Sequence, residues 1–233
     1  MEPQTVLIPV EFPDPDPLPS TFIDCLTSCR VLLLGVYEIP SNVDADERQR
    51  REVEAYDILY TLANQFAQSG ETADVELVMD EDVSDVPTTV AEDRDVDALL
   101  VPNPITTLGR VLVPLREAKF QEPVTDLVST LDEDVLLHTT LFHVADSDDD
   151  VEAGREMLST VRDHLVDEGF PRTRIDTEVV VSDDPPFAIS QAARDYELLV
   201  MGETQESSLE RVFGKTYESI AEQTDRPIIV VRE

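Results

Sequence analysis

The same apolar segments occur twice in this chain, in the same order. VLIPV at 6–10 returns as VLVPL at 111–115, an offset of 105, and DALLV at 97–101 returns as ELLVM at 197–201, an offset of 100. Between them, VLLLGVYEIP at 31–40 answers VLLHTTLFHV at 135–144. A repeat of this size fixes the architecture before any single motif does, because each copy must be a unit that folds in the same way. A chain of 233 residues has room for two compact units of about a hundred residues each.

The second copy has the clearer periodicity. Val111–Leu115 is a short apolar run that suits a buried strand. Phe120, Val124, Leu127, Val128 and Leu131 then follow at helical spacing, and Val135–Val144 is a second strand. The acidic turn Asp146–Asp150 can cap a helix that buries Val151, Met157, Leu158, Val161 and Leu165 and stops at Gly169. Ile175–Val181, Glu197–Met201 and Ile228–Val231 are three further strands, separated by helices that begin at Pro185 and at about residue 209. Strands apolar on both faces, alternating with helices, imply an α/β fold with a parallel sheet flanked by helices.

The first copy has strands at 5–10, 31–39, 74–79 and 97–101, with helices at 19–28, 45–68 and 86–94. It then stops, with only Pro102–Gly109 before the next copy. The expected organisation is therefore a truncated unit over 1–105 and a full unit over 110–233. Alternatively, Val111–Leu115 closes the first sheet and leaves the second without its first strand. The truncation also leaves Ile228–Val231 without a partner in the chain. An apolar edge of that kind invites a second molecule, so a homodimer through residues 227–232 is expected.

Charge narrows the function. Asp and Glu number 51 against 17 Lys and Arg, a formal −34, and lysine occurs only at Lys119 and Lys215. The acids are spread between regularly spaced apolar residues rather than gathered in a tail, so this is an acidic surface on a folded core. It resembles the cytosolic proteins of salt-accumulating organisms, in which a Debye length of about 3 Å at molar salt screens the repulsion. Folding should weaken in dilute buffer, seen as a lower melting temperature than in molar KCl. No basic stripe exists to displace counterions, which argues against a nucleic-acid partner. No apolar run approaches the ~20 residues of a membrane span, and MEPQTVLIPV lacks the features of a signal peptide. The expectation is a cytoplasmic protein without membrane insertion.

Several motifs give a resemblance. VLVPL opens the second copy, Leu141-Phe142-His143-Val144 closes its second strand, and Ile189, Ala192 and Leu198-Leu199-Val200-Met201-Gly202 follow. Phe213-Gly214-Lys215-Thr216 and Arg226-Pro227-Ile228-Ile229-Val230-Val231 complete the series. In order and spacing, nearly all of 110–232 resembles the universal stress protein family. Residues 5–102 resemble it more weakly, through the internal repeat. The resemblance implies paired adenine-nucleotide-α-hydrolase-like units forming an internal pseudo-dimer. It also implies a non-enzymatic role in stress response or regulation, with ATP or another nucleotide as the ligand to test. The segment GETQESSLERVFG further resembles variants found beside or fused to membrane transporters in haloarchaea, which implies an interaction module for a transporter as the alternative role.

ATP-binding members of the family carry Gly-x-x-Gly, nine residues, then Gly-Ser/Thr, a loop whose N–H groups hold phosphate. The resemblance places a nucleotide or anion site at Val144, Gly202, Thr204, Ser207, Gly214, Lys215 and Thr216. The loop departs from the pattern: Gln205 replaces the second glycine, and twelve positions separate Gly202 from Gly214 where thirteen are needed. Glu203 and Glu206 would repel phosphate, and Arg116 stands where the family carries an acid after the first strand. In the first copy that acid is present as Glu11, but Pro102 replaces the loop glycine. An ATP site, a site for another small anion, and no ligand at all remain open.

Other signals have plainer readings. Gly214-Lys215-Thr216 lacks the upstream glycine of a Walker A loop, with Leu209 in its place. Cys25 and Cys29 sit four apart on one expected helix face, a spacing that suits packing rather than redox or metal chemistry. His138 and His143 fall on opposite faces of one strand, and a structural role for His143 is the expectation. The clusters Asp80–Asp85 and Asp146–Asp150 lack the spacing and glycine of a calcium loop. No nucleophile, base and orienting group assemble from spacing, so no enzyme is expected and no metal site is assigned.

Overall fold

The computed structural model describes residues 3–70, 72–101, 103, 105, 108–116, 121–131, 135–202, 220, 221 and 223–232. The first half runs β1 (Thr5–Phe12), α1 (Ser20–Cys25), β2 (Arg30–Glu38), α2 (Ala45–Gln68), β3 (Ala73–Asp80), α3 (Val86–Asp93) and β4 (Ala98–Val101). The second runs β5 (Arg110–Pro114), α4 (Gln121–Thr130), β6 (His138–Ala145), α5 (Val151–Asp167), β7 (Ile175–Val181), α6 (Pro185–Ala193), β8 (Leu198–Gly202) and β9 (Ile228–Val231). All nine strands form one sheet in the order β3-β2-β1-β4-β9-β8-β5-β6-β7. The α/β class is as the periodicity implies.

The repeat is visible in the hydrogen bonding. Val6 pairs with Ala98 and Leu7 with Leu99; in the second half Val111 pairs with Leu198 and Leu112 with Leu199. These are the offsets of 105 and 100 seen in the sequence. The amino-terminal edge is stapled identically in both halves. Asp97 accepts a hydrogen bond from the Thr5 N–H at 2.7 Å, and Glu197 accepts one from the Arg110 N–H at 2.7 Å.

The middle match is shifted. Val6 pairs with Val31 while Val111 pairs with Thr139, so residue 31 corresponds to 139 and not to 135. The segment Val135-Leu136-Leu137 precedes the strand, which begins at His138, and Leu137 is 60% exposed. Apolar similarity alone does not mark the strand start there, because a lead-in with one buried leucine has the composition of a strand. Two smaller expectations also shift. Helix α1 ends at Cys25, so Cys29 lies in the turn beyond it, although both thiols are buried and reduced. The Asp150 side chain does not cap α5; it accepts instead from the Ser147 hydroxyl at 2.6 Å.

The edge prediction is overturned. Strand β9 lies between β8, to which it is parallel, and β4, to which it is antiparallel, pairing Ala98 with Val231 and Val101 with Ile228. The first half completes its sheet with the last strand of the second half, so residues 227–232 are not an open edge and a homodimer through them has no free strand to use. The physical reason is that β4 offers an unsatisfied row of N–H and C=O groups next to β9 in the same chain. Val111–Leu115 belongs to the second half, paired with β6 and β8. The true outer strands, β3 and β7, carry exposed Asp74 and Glu178, and charge on an edge discourages further pairing.

Helices cover both faces. On one, α1, α2, α4 and α5 bury a core running from Val6 and Phe22 through Leu59 to Leu127 and Leu158. On the other, α3 covers Leu7, Leu34, Val36 and Leu99, and α6 covers Leu112, Phe142 and Leu199. Gly169 closes α5 at φ +108, a left-handed stop available to glycine at no steric cost.

Candidate functional site

In an open parallel sheet, ligands sit beyond the carboxyl ends of the strands where the strand order reverses. This sheet reverses twice, between β1 and β4 and between β5 and β8. Because β4 and β9 run antiparallel, the two reversal points open at opposite edges. Neither crevice can borrow residues from the other.

In the second half the ends of β5, β6 and β8 come together, carrying Arg116, Val144 and Gly202. Val144 is buried among Phe142, Ile189, Met201 and Ile220, so it is a floor residue with its backbone at the edge. The Leu115 N–H donates to the Phe142 carbonyl at 2.8 Å, and His143 Nδ1 bonds the Leu115 carbonyl at 2.7 Å, tying β5 to β6 just below the edge. The His143 ring lies so close to Gly154 that a Cβ there would stand 2.5 Å from its Cδ2. Arg116 is exposed beyond Leu115. Gly202 ends β8 opposite Val231. The remaining expected site residues, Thr204, Ser207, Gly214, Lys215 and Thr216, lie outside the described residues.

The first half has a counterpart that its sequence did not signal. A crevice of about 400 Å³ opens at the ends of β1, β2 and β4 against the first turn of α3. Glu11 and Glu38 stand at its rim, Val36 and Leu99 form its floor, and Ser84 and Thr88 form the facing wall. The shared register makes Glu11 the counterpart of Arg116, and Glu38 the counterpart of Asp146. Ser84 donates its hydroxyl to Asp82 at 2.7 Å and its N–H at 3.1 Å, and these bonds hold the Asp82 carboxyl below the usual carboxylate range. The signal available in the sequence was register. Glu11 lies next to the end of β1 and Glu38 ends β2, at positions that share a face, which shows only once the strand pairing is known.

Among the described residues no group of three His, Cys, Asp or Glu side chains could hold a metal, and no helix is long and apolar enough to cross a membrane. His138 is engaged by Asp176 at 2.6 Å.

Comparison with known proteins fits this architecture. Residues 122–232 match the model of the universal stress protein family, and this part of the chain belongs to that family. Over its whole length the fold is similar to that of a universal stress protein from Archaeoglobus fulgidus DSM 4304, with 16% identity, TM-score 0.63, and 98% of this chain and 96% of that one covered. It is also similar to the cytoplasmic domain of a prokaryotic cation chloride cotransporter, with 12% identity, TM-score 0.58, and coverage of 98% and 95%. No curated protein sequence matches the chain.

Proposed function

We propose that this is a non-enzymatic regulatory protein of the universal stress type, acting in the cytoplasm. In this reading a nucleotide or similar small anion binds at the carboxyl edge of the second half. The observation that carries the reading is the convergence of Arg116, Val144 and Gly202 at the β5/β8 reversal point. An arginine there supplies the positive charge that an anion needs in so acidic a molecule. Gly214, Lys215 and the hydroxyls of Thr204, Ser207 and Thr216 are the further candidates.

The test is the ultraviolet spectrum of ligand released by heating the purified protein, followed by titration with ATP. An adenine-type spectrum is expected, with binding weakened by Gly202→Glu and by Lys215→Ala. If ATP binds and neither change weakens it, the site is misplaced.

A second reading is that the chain regulates a membrane transporter and takes no ligand of its own. The whole-length likeness to a cotransporter's cytoplasmic domain supports it, as a likeness of fold. Protein without bound nucleotide, and with no affinity for any added, would favour this second reading.

A further inference from the structure

The crevice of the first half has its own chemistry. At about 400 Å³ it falls within the range of small-molecule sites, which runs from about 300 to 1,000 Å³. It also lies at a strand-order reversal, where α/β sheets hold ligands. Parallel pairing sets Glu11 beside Val36, so their side chains leave the same face of the sheet, and Glu38 projects from that face two residues further along β2. The floor below them is apolar, with Val36 and Leu99 in the core beneath α3. Across from the carboxylates, Ser84 commits its proton to Asp82, so what its oxygen offers the crevice is lone pairs.

The lining is therefore acceptors over apolar surface, and no lysine, arginine or histidine is among the described lining residues. An anion there would meet two carboxylates and the field of a chain of net charge −34. The amide dipoles of the first turn of α3 amount to about half a charge and do not offset them.

We propose that this crevice binds an aliphatic ammonium ion, its charged end between Glu11 and Glu38 and its carbon stem on Val36 and Leu99. Ser84 accepts a further N–H. The site is independent of the one in the second half, because the two open at opposite edges of the sheet.

The test is calorimetric titration of the full chain with n-pentylamine in molar KCl, where a Debye length of about 3 Å suppresses diffuse attraction to the surface. One saturable site is expected. Glu11→Gln and Glu38→Gln should each weaken it about tenfold, the effect of losing one charge-assisted hydrogen bond. Glu52→Gln removes an exposed carboxylate from α2, far from the crevice, and should change nothing. Thr88→Phe should fill the crevice and abolish binding, with the melting temperature reporting whether the fold is kept. The proposal is overturned if no saturable binding occurs, if Glu52→Gln weakens binding as much as the crevice variants, or if ATP displaces the amine.

Discussion

The two halves share a register and differ at the places where a ligand would look. At the end of the first strand one half has Glu11 and the other Arg116; at the end of the second, one has Glu38 and the other Asp146. The amino-terminal edge shows the opposite behaviour, with Asp97 and Glu197 making the same staple at the same distance. Positions that hold the sheet together are alike in the two halves, whereas at the carboxyl edge the charge changes sign at the end of the first strand and stays negative at the end of the second. The halves therefore read as one scaffold with two crevices that differ at the end of the first strand, where one carries the Glu11 carboxylate and the other the Arg116 guanidinium.

The most disruptive way to test whether the halves are one folding unit is to damage the strand they share. Ile229 is fully buried between β4 and β8, and Ile229→Asp would bury an unpaired carboxylate at a cost of roughly 4 kcal/mol or more. At about 2–4 °C per kcal/mol, the melting temperature should fall by roughly ten degrees, in one transition. Hydrogen exchange should show protection lost in β1–β3 as well as in β6–β7. Retained protection in β1–β3 would show that the first half stands without β9.

A smaller effect separates the halves at their strand–helix contacts. A Cβ on Gly154 would meet the His143 ring, which is fixed by its bond to Leu115, whereas a Cβ on Gly35 would meet the ends of Leu59 and Leu77 at 2.7 and 2.8 Å. Overpacking costs about 1–3 kcal/mol, and alanine returns about 1 kcal/mol of helix propensity at Gly154. Gly154→Ala should still destabilise by roughly 1 kcal/mol, and a double-mutant cycle with His143→Ala should show coupling of about 1 kcal/mol. Gly35→Ala should be relieved by rotation of the leucine ends. A larger loss at Gly35 than at Gly154 would reverse the comparison.

The smallest expected effect concerns a carboxylate beside the long helix of each half. Asp24 accepts a hydrogen bond from Ser69 at the end of α2. Asp126 in the second half has Glu122 and Glu168 near it, and burial first, then Glu122, raises its pKa above 3.8. A carboxyl whose folded pKa is raised binds its proton more tightly in the folded state, so stability falls as pH rises from 3.8 through the folded value. Asp126→Asn should therefore melt slightly higher than the parent at neutral pH, within the ordinary surface range of about 0.5 kcal/mol. The difference should vanish in acid. An equal gain for Asp24→Asn would remove the distinction between the halves.

Much of the fold was legible because apolar runs are local signals. Ile175–Val181 and Ile228–Val231 have the bounds that their sequences suggest, since Pro227 and the 3₁₀ turn at Arg172–Arg174 mark where each begins. The pairing of β4 with β9 was not legible, because nothing in four apolar residues says that, once paired with β8, their other edge will be taken by a strand of the first half. The first-half crevice was hidden for a related reason: residues 11, 36–38, 84–88 and 99 converge only through the sheet. The absence of a loop glycine at Pro102 spoke against phosphate, and it carried no information about the walls.

The shared strand also orders events during synthesis. Residues 98–101 wait for residues 228–231, which the ribosome adds some 130 residues later, on the order of ten seconds at about 5–20 residues per second. Throughout that interval one edge of β4 has no strand to pair with. A chaperone bound there, or a second nascent chain, would meet the protein at the one moment when its first half can be entered by a foreign strand.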